Sequence, residues 1–203
     1  MRKPAAPIVV KLGGSLVADA PRLRTWLAHL ADGAAGPCVV VPGGGPLAEA
    51  VRTSQAALGF SDALAHRLAL DAMGRMAEIF SALEPRLVAA RAPEALAALL
   101  ASGLVPVWDP ADLKAGHPDI PETWDVTSDS LALWLAAAIG ASRCCLVKSA
   151  ERPAGTTDWA DLAASGLVDA AFPVFAARYA GPIAILGPGA ACPPAAAPER
   201  AAA

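Results

Sequence analysis

The sequence predicts an α/β fold in which helices cover both faces of a mainly parallel sheet, and three observations carry the prediction. Short apolar, β-branched runs alternate along the chain with segments of helical pattern. The first two runs end in consecutive glycines, Gly13-Gly14 and Gly43-Gly44-Gly45. Between successive runs there is chain enough for a crossover helix, as right-handed βαβ connections require.

Residues 7–12 (PIVVKL) read as a buried strand that stops at Gly13-Gly14, and residues 20–30 as a helix. Residues 38–41 (CVVV) form a second strand, and Pro46 stands at the first turn of the helix that follows. Helical pattern then continues to about Leu83, interrupted at Gly59, with Ser61-Asp62 marking a fresh start. Strands are expected at 87–90, 104–108, 143–148 and 183–186. Helices are expected at 93–102, from a Ser128 cap through Ile139, from Thr156-Thr157-Asp158 onward, and at 168–179. Residues 1–186 are expected to form one domain. Residues 187–203, mostly Pro and Ala, read as a flexible tail.

Composition removes several classes of function. In 203 residues, 19 acidic and 16 basic side chains leave a net charge of −3, which argues against a nucleic-acid-binding arm or an acidic tail. Apolar residues make up 55%, but 51 are alanine, so the figure overstates the bulky core. A membrane span needs about 18–20 uninterrupted apolar residues, and the best run, 131–141, offers 11. The amino-terminal apolar run is broken at Lys11 with no cleavage pattern after it, so a cytoplasmic protein is expected. Cys38, Cys144, Cys145 and Cys192 form no CxxC pair and read as buried thiols.

In an open α/β sheet, ligands bind beyond the carboxyl ends of the strands. Two strands ending in glycines suit two phosphates, because backbone N–H groups can converge on an anion there and the next helix adds a favourable dipole. The same glycines also permit tight strand-to-helix turns. Lys11 stands inside an apolar strand, where an ammonium needs an anionic partner, and Lys148 repeats the arrangement at the end of residues 143–147. Asp129 suits a position between the two lysines, or a first-turn role offsetting the helix dipole. Cations flanking a transferred group are what phosphoryl transfer requires. No GxxxxGK[ST] loop occurs.

Taken in order, residues 11–15 (KLGGS), 41–46 (VPGGGP), 126–130 (VTSDS) and 146–149 (LVKS) resemble the amino acid kinase family over about residues 7–186. The resemblance implies a three-layer αβα sandwich with ATP over the second half of the sheet and the acceptor over the first. It implies Lys11, Asp129 and Lys148 as catalytic residues. Gly13, Gly14, Ser15, Lys148 and Ser149 would meet the nucleotide, and Gly43, Gly44, Gly45, Arg52, Asp62 and Ser128 the acceptor. ATP with Mg²⁺, a small-molecule substrate and a homo-oligomer follow from it, with no protein side chains identified as metal ligands. Where the family often continues the strand-end segment with Asp-Gly, this chain has Ser149-Ala150-Glu151-Arg152.

Residues 59–62 (GFSD), 65–66 (AH) and 124–130 (WDVTSDS) resemble a short subgroup whose acceptor is a phosphate monoester bearing an amine. Asp62 suits an ammonium on such an acceptor, or only starts its helix. Arg52 suits an acceptor phosphate, or is a solvated helix arginine. A uridylate kinase and a nucleotide- or anion-binding protein without catalysis are the alternatives.

Overall fold

The computed structural model describes residues 5–192. Six parallel strands form one sheet in the order β3-β4-β2-β1-β5-β6. They are β1 (Ile8–Leu12), β2 (Cys38–Pro42), β3 (Leu87–Ala90), β4 (Val105–Trp108), β5 (Arg143–Val147) and β6 (Ile183–Leu186). The helices are α1 (Ala20–Ala31), α2 (Gly45–Leu58), α3 (Asp62–Leu83), α4 (Pro93–Ala101), α5 (Ser128–Ala138), α6 (Trp159–Ala164) and α7 (Phe172–Arg178). Short 3-10 segments at Gly14–Ala18 and Pro110–Ala115 complete the set. The three-layer αβα architecture is the expected one.

Alternation along β1 sorts its side chains between two cores. Ile8, Val10 and Leu12 pack with Trp26, Leu27, Leu30 and Phe80 on one face, whereas Val9 packs with Leu131, Ala132 and Leu135 of α5 on the other. Burying each of these large apolar side chains contributes about 1.5–3 kcal/mol. A period of two places Lys11 on the Val9 face, under α5. Since β1 has β2 on one side and β5 on the other, the chain reverses its winding direction at this strand. The carboxyl ends of β1 and β5 therefore flank the crevice where α/β proteins place ligands, and Leu12 is in register with Val147.

Three boundaries differ from the sequence expectation. Thr127, not Ser128, caps α5, accepting from the Asp129 N–H at 3.4 Å. The expected helix at 168–179 shortens to α7, because Asp169 turns inward to bond the start of α5 and Pro173 sets a new helix start. Within the expected tail, the Gly187 carbonyl accepts from Arg22 Nη2 at 2.6 Å and Cys192 packs on the α1 side of the core. Residues 193–203 lie outside the described residues. Cys38, Cys144 and Cys145 are buried free thiols and Cys192 is partly buried. No helix among the described residues is long and apolar enough to cross a membrane.

Candidate active site

At the centre of the crevice one carboxylate meets two ammonium groups. Lys11 Nζ lies 2.7 Å from Asp129 Oδ1, and Lys148 Nζ lies 2.5 Å from Oδ2. Each partner comes from a rigid element: Lys11 from β1, Lys148 from the residue after β5, and Asp129 from the first turn of α5. Lys11 and Asp129 are each 4% exposed. Burial alone would raise the Asp129 carboxyl, but the charges of Lys11 and Lys148 outweigh it and hold the group below its ordinary value. Burial and the like charge of Lys11 bring Lys148 down to about 8, against the opposing pull of Asp129.

A second carboxylate fixes the start of α5. Asp169 Oδ2 accepts from the Thr127 N–H and hydroxyl, each at 2.8 Å, and from the Ser130 N–H at 3.0 Å, while Oδ1 accepts from the Ser130 hydroxyl at 2.5 Å. Burial and the nearby Asp129 charge raise its pKa against these bonds. Asp169 was not among the residues read from the sequence; an acid following Leu167-Val168 within an apolar segment is the signal that marks it. Arg22 was missed as well. Its guanidinium joins the ends of two strands, donating to the carbonyls of Lys148 at 3.0 Å and Gly187 at 2.6 Å.

The two glycine loops lie against one another, backbone to backbone. A Cβ on Gly14 would collide with the Gly45 nitrogen and one on Gly43 with the Gly14 nitrogen, so close approach explains glycine at both positions. Gly13 corrects the expectation of a phosphate-binding amide. Its N–H donates to the Val147 carbonyl at 3.0 Å and thus extends the β1–β5 ladder. The Gly43 N–H is likewise taken, by Leu12 at 2.9 Å. Gly14, Gly44 and Gly45 are the loop amides with no backbone partner among the described residues. Across the crevice the Ser15 and Ser149 hydroxyls are 2.7 Å apart.

Beside the loops opens a cleft of about 410 Å³, lined by Gly14, Ser15, Gly43, Gly44, Gly45 and Ser128 and also by Arg52, His66, Met73 and Trp124. The Arg52 guanidinium carbon stands 4.3 Å from the Trp124 ring centroid, and Arg52 also pairs with Glu49 at 3.4 Å. The structure does not bring Asp62 into the cleft, which corrects the reading of it as an ammonium partner. Asp62 is the first residue of α3, capped by Ser61, and its Oδ1 accepts from Gln55 Nε2 at 2.7 Å. Gln55 Oε1 in turn accepts from the Trp124 indole at 2.5 Å. Asp62 therefore touches the cleft wall only through Gln55.

Fold and sequence both have likenesses among known proteins. The sequence model of the amino acid kinase family matches residues 6–84. A Methanocaldococcus jannaschii protein named [5-(aminomethyl)furan-3-yl]methyl phosphate kinase is 33% identical over 135 residues, which are 63% of this chain and 58% of that protein. The chain thus spans little more than half the length of this relative. Among solved structures, uridylate kinase from Archaeoglobus fulgidus superposes with a TM-score of 0.65 at 20% identity, covering 89% of this chain and 91% of the other. UMP kinase from Bacillus anthracis gives 0.68 at 14% identity over 92% and 90%. An aspartate kinase from Synechocystis gives 0.66 at 17% over 94% of this chain and 39% of its own. The sequence match over residues 6–84 bears out the resemblance to the amino acid kinase family, and the solved structures share the fold over nearly the whole chain.

Proposed function

We propose that this chain is an ATP-dependent phosphotransferase whose acceptor is an amine-bearing phosphate monoester, an (aminomethyl)furanylmethyl phosphate, which it converts to the diphosphate. The observation that carries the reading is the pair of lysines held on one carboxylate at the ends of adjacent strands, beside a cleft bordered by both glycine loops. An acceptor phosphate oxygen would attack the γ-phosphorus of ATP, the bond to the β-phosphate oxygen would break, and ADP would leave. Charge on the transferring group is met by Lys11 and Lys148, which Asp129 keeps in place without being consumed.

The acceptor phosphate would lie against the Gly44 and Gly45 amides with Arg52 and Ser128 nearby, and the nucleotide phosphates against Gly14, Ser15 and Ser149. Among the described residues no group of three His, Cys, Asp or Glu side chains is arranged to hold a metal ion. Mg²⁺ would accordingly enter on the nucleotide's phosphates and supply charge neutralisation there. The Methanocaldococcus relative's name supports this acceptor.

The test is ADP formation with (aminomethyl)furanylmethyl phosphate, UMP and acetylglutamate as competing acceptors. Turnover is expected with the furan monoester above the other two. Preference for UMP would replace the reading with a uridylate kinase, and ATP binding without turnover of any acceptor would make the chain a nucleotide-binding protein.

A further inference from the structure

Leu70, Met73, Val126 and Leu131 give the cleft an apolar part of its lining. Two buried polar side chains, His66 and Ser128, share the lining with them. His66, in the second turn of α3, is 4% exposed and borders the cleft. Its Nδ1 lies 3.2 Å from the Thr123 carbonyl oxygen. A carbonyl oxygen only accepts, so Nδ1 carries the hydrogen of this bond. In a neutral ring that choice leaves Nε2 with a bare lone pair, and no group of the described residues bonds it.

Burial, more than the charges around it, keeps the ring neutral. Arg67, next to it on α3, and Glu122, from the loop packed against it, pair with each other at 2.7 Å and act on the imidazole in opposite directions. Burial, the largest influence, disfavours the cation. Within the cleft, Arg52 is stacked on Trp124 and paired with Glu49, so neither ion is aimed at the ring by a bond of its own. Nε2 is not among the fully buried unpaired atoms, so its lone pair is open to a donor from a molecule in the cleft that His66 lines.

We propose that His66 determines acceptor specificity, its Nε2 lone pair receiving a hydrogen bond from an N–H donor at the end of the acceptor remote from the reacting phosphate. The proposal rests on the amine-bearing monoester argued above and assigns the recognition of that amine. Leu70, Met73, Val126 and Leu131 on the lining favour a compact apolar body, and the unengaged Nε2 beside them favours one that carries an N–H donor. Discrimination built on such a pairing is larger than discrimination by shape alone.

The test compares kcat/KM for the furan monoester with that for its deaminated methyl analogue in the parent, in His66→Gln and in His66→Leu, with thermal melting as the check on folding. In the parent the amine-bearing acceptor is expected to lead by about tenfold, the size of one lost hydrogen bond. His66→Leu should bring the ratio to about one, and His66→Gln, whose amide oxygen still accepts, should recover part of it. A second readout needs no turnover. With ¹⁵N-labelled histidine, the His66 ring at pH 7 should give the neutral form protonated on Nδ1, and adding the furan monoester should shift Nε2. An Nε2–H or cationic ring, or an amine preference that survives in His66→Leu, overturns the proposal. If neither furan monoester is turned over while UMP is, the acceptor reading itself has failed, and the assignment of His66 to an amine falls with it.

Discussion

Lys11 and Lys148 reach the same carboxylate from neighbouring strands, one on each oxygen of Asp129 at 2.7 and 2.5 Å. Two buried ammonium groups so placed would repel strongly without the anion between them. Both oxygens of that anion are engaged, so Asp129 is poorly placed to take a proton from an acceptor and well placed to fix the geometry of two cations. The chemistry expected of such a site is charge stabilisation, in which the lysines contribute most where negative charge develops.

Lys11→Ala should therefore lower kcat by more than about a hundredfold while the KM for ATP changes little, since loss of a charge-stabilising donor costs about that much in the chemical step. Asp129 keeps Lys148 as a partner in this variant, so the fold should persist. Steady-state kinetics at saturating acceptor provide the check. Near-normal turnover would remove Lys11 from the machinery.

Asp129→Asn leaves both lysines beside a neutral amide. Removing one partner from a buried ion network typically costs about 3–5 kcal/mol. The helix cap itself is Thr127, which the substitution does not touch. The expected outcome is a folded protein with a melting temperature lower by several degrees and with strongly impaired turnover. Unchanged melting would show that the lysines find other partners.

Lys148 makes the site sensitive to mildly alkaline pH. Its folded-state value of about 8 lies below the ordinary 10.5, so the free enzyme loses this charge as pH rises through about 8. kcat/KM for ATP should fall along that limb, because the limb reports the free enzyme. Lys148→Arg, charged throughout, should flatten it even if its absolute rate is low. Stability has the opposite sign. Between about 8 and 10.5 the unfolded chain binds the extra proton, so the Lys148 contribution to stability improves as pH rises across that window. A limb that stays near pH 8 in Lys148→Arg would assign it to another group.

Much of this site is legible in the sequence because it is built from local signals. A lysine inside an apolar strand needs an anion, a strand that stops at glycines marks the carboxyl edge of the sheet, and an acid at a helix start faces that edge. What the sequence conceals depends on register and long-range packing. Gly13 looks like an anion-binding amide until the pairing of β1 with β5 commits its N–H to Val147. Asp169 lies 40 residues after Asp129, and its bonds to Thr127 and Ser130 exist only once α5 and α7 pack together. Asp62 follows a good cap residue at the mouth of a helix, and nothing local reveals that Gln55, one turn before the end of α2, intercepts its carboxylate.

That interception yields the last prediction. Asp62 is exposed and outside the cleft, so Asp62→Asn should change the acceptor KM by less than about threefold, because an exposed hydrogen bond to a flexible amide contributes little. Gln55 is the residue that matters on this wall. It donates to the Phe60 carbonyl at 3.1 Å and to Asp62, and it accepts from the Trp124 indole. Gln55→Leu breaks all three bonds at once and leaves a half-buried indole N–H without its acceptor, which frees the ring that Arg52 stacks on. The acceptor KM should then rise by roughly tenfold, about the free energy of one lost hydrogen bond, while the KM for ATP should stay close to the parent value because Gln55 is not among the residues proposed to meet the nucleotide. The double variant Asp62→Asn/Gln55→Leu should resemble Gln55→Leu alone, since Asp62 acts on the wall only through Gln55. Full additivity, or a large effect of Asp62→Asn by itself, would restore Asp62 as a direct partner of the acceptor.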